Sequence, residues 1–131
     1  MTAALGFSSA SAQLNYYSAD IAIVNAEIAL FEVAPQLRIE IGQRCKNEQQ
    51  KLQKEIKLGL YMGGIVSTAI ESVRKLPMED FLPQLPRLQV LAQEMATTFH
   101  MDSFIKKVTA LVESGPTMDP ATAIDDPLAF A

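Results

Sequence analysis

The sequence predicts an all-α fold: a long antiparallel helical hairpin with two or three shorter helices packed on it as a helical bundle, between flexible N- and C-termini. Three observations carry this expectation. Leu14, Tyr17, Ile21, Val24, Ile28 and Phe31 recur at spacings of three and four, and Cys45, Leu52, Ile56, Val66, Ile70 and Val73 resume the rhythm. Such spacing gathers each set on one side of an α-helix, where another helix must cover it, as in a coiled coil. Gly59 and Gly63 occupy the seam positions that the second set leaves open, so its phase runs from Cys45 to Val73. Finally, Pro35, Pro77 and Gly115-Pro116 divide the chain into pieces of helical length, because proline lacks the donor a helix interior needs and glycine favours helix ends.

The first helix is expected to start near Ala10–Gln13, with Ser9 or Ser11 as cap. It carries a second apolar row, Tyr16, Ile23, Leu30 and Leu37, repeating every seven residues beside the first. A strip this wide exceeds a two-stranded seam, so the helix belongs inside a bundle or an assembly. Asn15, Ser18, Asp20, Asn25, Glu27 and Glu32 supply its polar side. Pro35 stops or kinks it. The alternation Leu37-Arg-Ile-Glu-Ile41 resembles a strand, but nothing else in the chain is placed to pair with it. A second helix with Pro35 in its first turn, where proline is tolerated, is the better reading.

From Gln43 to Lys57 the chain is polar, and six of its eleven basic residues fall between Arg38 and Lys57. Against Glu40, Glu48 and Glu55 that stretch carries +3 within a chain of −4. It reads either as a solvated helix or as a docking surface, with Arg44 and Lys51 facing an acidic partner and charge speeding the encounter. Each of the three glycines from Gly59 to Gly64 costs a helix about 1 kcal/mol relative to alanine. Gly59 and Gly63 therefore form either a notch that another helix approaches closely, which the unbroken heptad phase favours, or part of a hinge at Gly63-Gly64.

Pro77 ends this helix. Met78-Glu79-Asp80 suits the acidic first turn of a short one. Pro86 opens a third main helix with Leu88, Leu91, Met95 and Phe99 inside. Asp102 or Ser103 caps a fourth, with Phe104, Ile105, Val108, Leu111 and Val112 inside, which stops at Gly115-Pro116. Residues 13–115 thus form a single helical domain, of a size that buries a modest core. Residues 1–12 read as a flexible leader free of charge. Residues 116–131 read as a flexible acidic tail in which Ile124, Leu128 and Phe130 could anchor a short linear motif around Asp125 and Asp126.

Most sequence signals of chemistry are missing. His100 stands alone at a helix end. Cys45 has no histidine beside it to serve as a base. The adjacent pairs Glu79-Asp80 and Asp125-Asp126 do not face one another on a helix. No phosphate loop or zinc spacing occurs, so neither enzyme activity, metal nor cofactor is expected. A net charge of −4 argues against nucleic acid as partner. One cysteine excludes an internal disulfide and suits a reducing, cytoplasmic setting.

The expected function is therefore a non-enzymatic protein–protein interaction module, such as an adaptor, chaperone, inhibitor or assembly subunit, in a homo- or hetero-oligomer. Its candidate contacts are Ile21, Ile28, Phe31, Gly59, Gly63, Arg44, Lys51, Ile124, Leu128 and Phe130. One alternative is a protein exported by a specialised secretion system on an uncleaved leader. Another is a peripheral membrane protein using the apolar Leu58–Ile70 stretch between Lys54, Lys57, Arg74 and Lys75.

Overall fold

The computed structural model describes residues 10–117, with side chains from residue 13 onward. Residues 1–9 of the leader and 118–131 of the tail fall outside this range, whereas residues 10–12, expected in the flexible leader, belong to the first helix. The elements follow in the order α1 (Ala10–Ile28), a π-helical turn (Ala29–Val33), α2 (Ala34–Arg44), α3 (Glu48–Arg74), α4 (Met78–Phe81), a 3-10 turn (Leu82–Gln84), α5 (Leu85–Phe99) and α6 (Ser103–Ser114). The helical hairpin with shorter helices packed on it is as expected, and no strand forms at Leu37–Ile41.

Pro35 neither ends the first helix nor leaves it regular. In a regular helix its ring would crowd the carbonyl of Phe31, to which it has no N–H to give. The turn before it widens instead, and the Ala34 N–H donates to Ala29 O, five residues back. Pro35 then lies in the first turn of α2, where its missing donor is not needed. The result is one rod running from residue 10 to residue 44.

The hairpin reverses at residues 45–47, which corrects the placement of Cys45 in the second seam. Cys45 is the extended residue that ends α2, with φ −79° and ψ 136°. Asn47 caps α3: its Oδ1 accepts from the Gln50 N–H at 2.9 Å, while Gln50 Oε1 accepts from the Lys46 N–H at 3.0 Å. One of the donors that a helix start leaves unpaired is thereby satisfied, together with the amide just before the cap. From there α3 continues through Gly59, Gly63 and Gly64 without a hinge.

Of the two apolar rows on α1, the core takes the second. Ile23 and Leu30 are buried together with Ala19, Ala22, Ala26, Ala29 and Ala34, and Tyr16 and Leu37 pack at the margin. The alanines let the axis of α3 come close, because interaxial distance follows the side chains at the contact. Met62, Val66, Ala69, Ile70 and Val73 of α3 fill the opposing face. α5 runs beside α1 in the same direction, its start held at Asp20 and Glu27 through Arg87. At its other end Arg38 lies 6.0 Å from the Phe99 ring. α6 returns along α5 and sends Phe104 to Gly63 of α3.

Leu52 and Ile56, expected in the seam, are exposed. The buried positions of α3 begin at Leu58, level with the end of α5 where Phe99 meets Gly59. The turns of α3 before that point lie beside α2, and Leu52 and Ile56 border an open cleft toward Phe99 and His100. Ile105 and Val112, expected inside, are likewise at or beyond the edge of exposure, and α6 buries Phe104, Val108 and Leu111 alone.

α5 ends on His100 in the left-handed conformation, φ 58° and ψ 32°, and the Met101 N–H closes the end on Met95 O at 3.1 Å. Glycine takes this backbone without the steric cost an L side chain meets. His100→Gly should therefore raise stability by about 0.5–1 kcal/mol, read as a higher Tm in a circular-dichroism melt. A lower Tm would mean that the imidazole holds a contact that outweighs the backbone cost.

Candidate functional site

The row that the core leaves out is the most distinctive surface of the molecule. Leu14, Tyr17, Ile21, Val24, Ile28 and Phe31 are between 38% and 66% exposed. The expectation that this row forms the covered seam of the hairpin is thus corrected: α1 packs through its alanine face, and the heptad row points away. Scattered exposed apolar residues are ordinary, but six in unbroken register along one helix form a contiguous patch. Taking roughly 200 Å² for a fully exposed large side chain, the row presents roughly 600 Å² of surface.

Its two flanks differ. On one side the row merges with a groove between α1 and α3, lined by Ser18, Ile21, Ala22 and Asn25 from α1 and by Tyr61, Ile65, Thr68 and Ser72 from α3. The Tyr61 ring stands exposed at its edge. The residues lining this groove are uncharged, and Glu32 lies beyond them on the same side of α1. On the other side lie Asp20 and Glu27, seven residues apart and both held by Arg87 of α5. The guanidinium takes Glu27 with two nitrogens and Asp20 Oδ1 at 3.0 Å, and also donates to the buried Gln84 Oε1 at 3.2 Å. Hydrogen bonding to Glu27 is the largest influence on Arg87 and raises its pKa above the ordinary value, so it is charged throughout the working range.

Arg87 ties α5 to the edge of the exposed row. Its side chain is 32% exposed and its partners are slightly more open, so water screens part of the attraction. Arg87→Gln should cost about 1 kcal/mol, below the penalty for a fully buried pair because both freed carboxylates can rehydrate. Urea unfolding should show a lower midpoint with an unchanged slope. No change would mean that the bridge contributes nothing to docking α5.

Of the residues singled out in the sequence, the structure brings Ile21, Ile28 and Phe31 together on this row. Leu14, Tyr17, Val24 and Tyr61 join them. Tyr61 was legible only once α3 was laid against α1, because nothing in its local pattern marks it. Gly59 and Gly63 are occupied from within the chain and offer no open notch: a Cβ at Gly59 would lie 3.1 Å from Phe99 Cδ1, and one at Gly63 would lie 3.2 Å from Phe104 Cζ. Arg44 ends α2 and Lys51 lies near the start of α3, so both flank the hairpin turn, about 35 Å along the rod from Ile21 at 1.5 Å per residue, and belong to a separate surface. That end has a cleft of about 140 Å³ bordered by Arg38, Leu52, Ile56, Phe99 and His100, where basic and acidic side chains are mixed. Ile124, Leu128 and Phe130 lie outside the described residues.

Within Leu58–Ile70, Leu58, Met62, Val66 and Ile70 are buried, and the exposed large apolar side chains are Leu60 and Tyr61. Among the described residues, no helix is long and apolar enough to cross a membrane. Among them, too, no three His, Cys, Asp or Glu side chains are grouped to hold a metal ion. Asp80 has a pKa raised first by burial and then by the charge of Glu79. It sits before α5, whereas His100 ends that helix, so the two are not within reach of one substrate.

No protein-family profile matches the chain, and comparison with curated proteins and with solved structures gives no match.

Proposed function

We propose that this protein is a non-enzymatic protein–protein interaction module whose docking face is the Leu14–Phe31 row of α1. The observation that carries the reading is the unbroken heptad of six large apolar side chains left in solvent while alanines fill the core beneath them. Removing roughly 600 Å² of such surface from water is worth roughly 15 kcal/mol at 25 cal/mol per Å² before the costs of association, which consume most of it. A seam spaced at three and four residues matches the knobs of another helix, so the partner presents a helix. The uncharged Tyr61 groove on one flank and the Asp20/Glu27 edge on the other make the face asymmetric, which fixes how a helix lies on it.

The test is a photo-cross-linking residue placed at Tyr17 or Ile28, against Val90 and Val112 as exposed apolar positions on α5 and α6, in cells that make the protein. Adducts are expected at the first pair and not at the second. Equal yields at all four positions, or none at Tyr17 and Ile28, would overturn the reading.

A further inference from the structure

We infer that the helix docked on this row is α1 of a second copy of the chain, lying antiparallel across a two-fold axis between Ile21 and Val24. The inference rests on the reading of the row as a docking face. In heptad terms Leu14, Ile21 and Ile28 occupy the first seam position and Tyr17, Val24 and Phe31 the fourth. An antiparallel pair sets first positions against fourth ones. With the axis between Ile21 and Val24, Leu14 faces Phe31 of the second copy, Tyr17 faces Ile28, and Ile21 faces Val24. All six residues of each copy are matched, the smallest pair, Ile21 with Val24, lies at the axis, and the arrangement closes on itself as a two-fold interface must. A shift of one heptad would leave residues at both ends uncovered.

The area agrees. The six residues offer roughly 600 Å², and the exposed Tyr61 beside Ile21 adds more than 100 Å², which approaches the roughly 800 Å² per partner of a stable interface. Charge selects the direction. A parallel pair would set Glu27 against Glu32 of the second copy twice, with Arg87 on Glu27 alone and no salt bridge to Glu32 among the described residues. The antiparallel pair separates those two and brings Asp20 toward Glu27 of the second copy. There each copy already supplies Arg87, seated between the same two carboxylates. On the other flank Ser18 meets Asn25 of the second copy, and both are uncharged. Arg87 thus joins α5 to α1 and also offsets one of the two carboxylate charges that each copy brings to the edge where they meet.

Sedimentation equilibrium of the full chain at about 1–100 µM should show a dimer. Ile21→Glu should weaken association by at least about 100-fold and leave the helical circular dichroism unchanged. A monomer throughout this range, or a dimer untouched by Ile21→Glu, overturns the inference. Orientation is read in a Cys45→Ser background, using Tyr17→Cys and Ile28→Cys with a short bismaleimide linker. The antiparallel pair cross-links a mixture of the two variants and neither alone, because like positions stand eleven residues apart, about 16 Å. Cross-linking of Tyr17→Cys to itself would mean a parallel pair and would also overturn it. A monomer that still gives adducts confined to Tyr17 and Ile28 in cells keeps the docking face and loses only the second copy as its occupant.

Discussion

Gly63→Leu should lower the stability of the bundle by about 2–4 kcal/mol, or roughly 10 °C in Tm for a chain of this size. Leucine at a helical glycine gains roughly 0.8 kcal/mol of intrinsic propensity. That gain is outweighed because the first added carbon already falls 3.2 Å from Phe104 Cζ, 3.4 Å from its Cε2 and 3.7 Å from Met95 Cε. Three further carbons must then enter the space of a ring that is buried and anchors α6 on α3. Either the ring leaves the core, with a loss approaching that of a deleted phenylalanine, or α6 lifts. Gly64 is the internal control. It is in the same helix one residue on, with nothing within 4 Å of its would-be Cβ, so Gly64→Ala should raise stability by up to about 1 kcal/mol. Thermal melts of the two variants should move in opposite directions. A rise in both would show that Phe104 does not pack on Gly63.

The double variant Ile21→Glu/Ile28→Glu should abolish docking while leaving the folded protomer almost untouched. Ile21 is 58% and Ile28 44% exposed, and substitutions at exposed positions usually change stability by no more than about 0.5 kcal/mol. In the docked state each glutamate would be buried without a partner, at several kcal/mol apiece, which amounts to at least about a thousandfold loss of affinity. At low concentration the variant should melt with the parent chain. At high concentration it should lack the added stability that mass action gives a bound state. Ile23→Glu is the contrast: Ile23 is fully buried, and a charge there should unfold the protein at any concentration. Unaltered association by the double variant would remove the row from the interface.

Period and punctuation made most of the architecture legible. α3 and α6 end where Pro77 and Gly115 require, α5 ends ahead of the Asp102-Ser103 start of α6, and the inner face of α5 is the one that Leu88, Leu91 and Met95 mark. The periodicity of α1 was equally clear and yet ambiguous, since the Leu14 and Tyr16 rows both repeat every seven residues. The discriminating signal was alanine. Ala19, Ala22, Ala26 and Ala29 cluster around Ile23 and Leu30 and not around the bulkier row, and small side chains are what a close helix contact needs. The hairpin turn was missed because the heptad from Cys45 seemed to run through it. The Asn47-x-x-Gln50 capping pair carried the information, and a local hydrogen-bonding signature outranks a period that rests on one cysteine. Gly59 and Gly63 were legible as a close contact, but which side chain fills it depends on α5 and α6 folding back, which no local pattern encodes. The candidate site followed from the same ambiguity: a row too regular to be accidental becomes a surface once the core is shown to use the other one.

The central claim is that the Leu14–Phe31 row is covered when the protein is at work. Hydroxyl-radical footprinting in the cells that make the protein tests this directly, with each residue compared against its own oxidation rate in the dilute purified chain. Leu14, Tyr17, Ile28 and Phe31 should be protected several-fold, with Val90 and Val112, also exposed, oxidised as in the isolated chain. Oxidation of the row at its isolated rate, alongside Val90 and Val112, would contradict the claim.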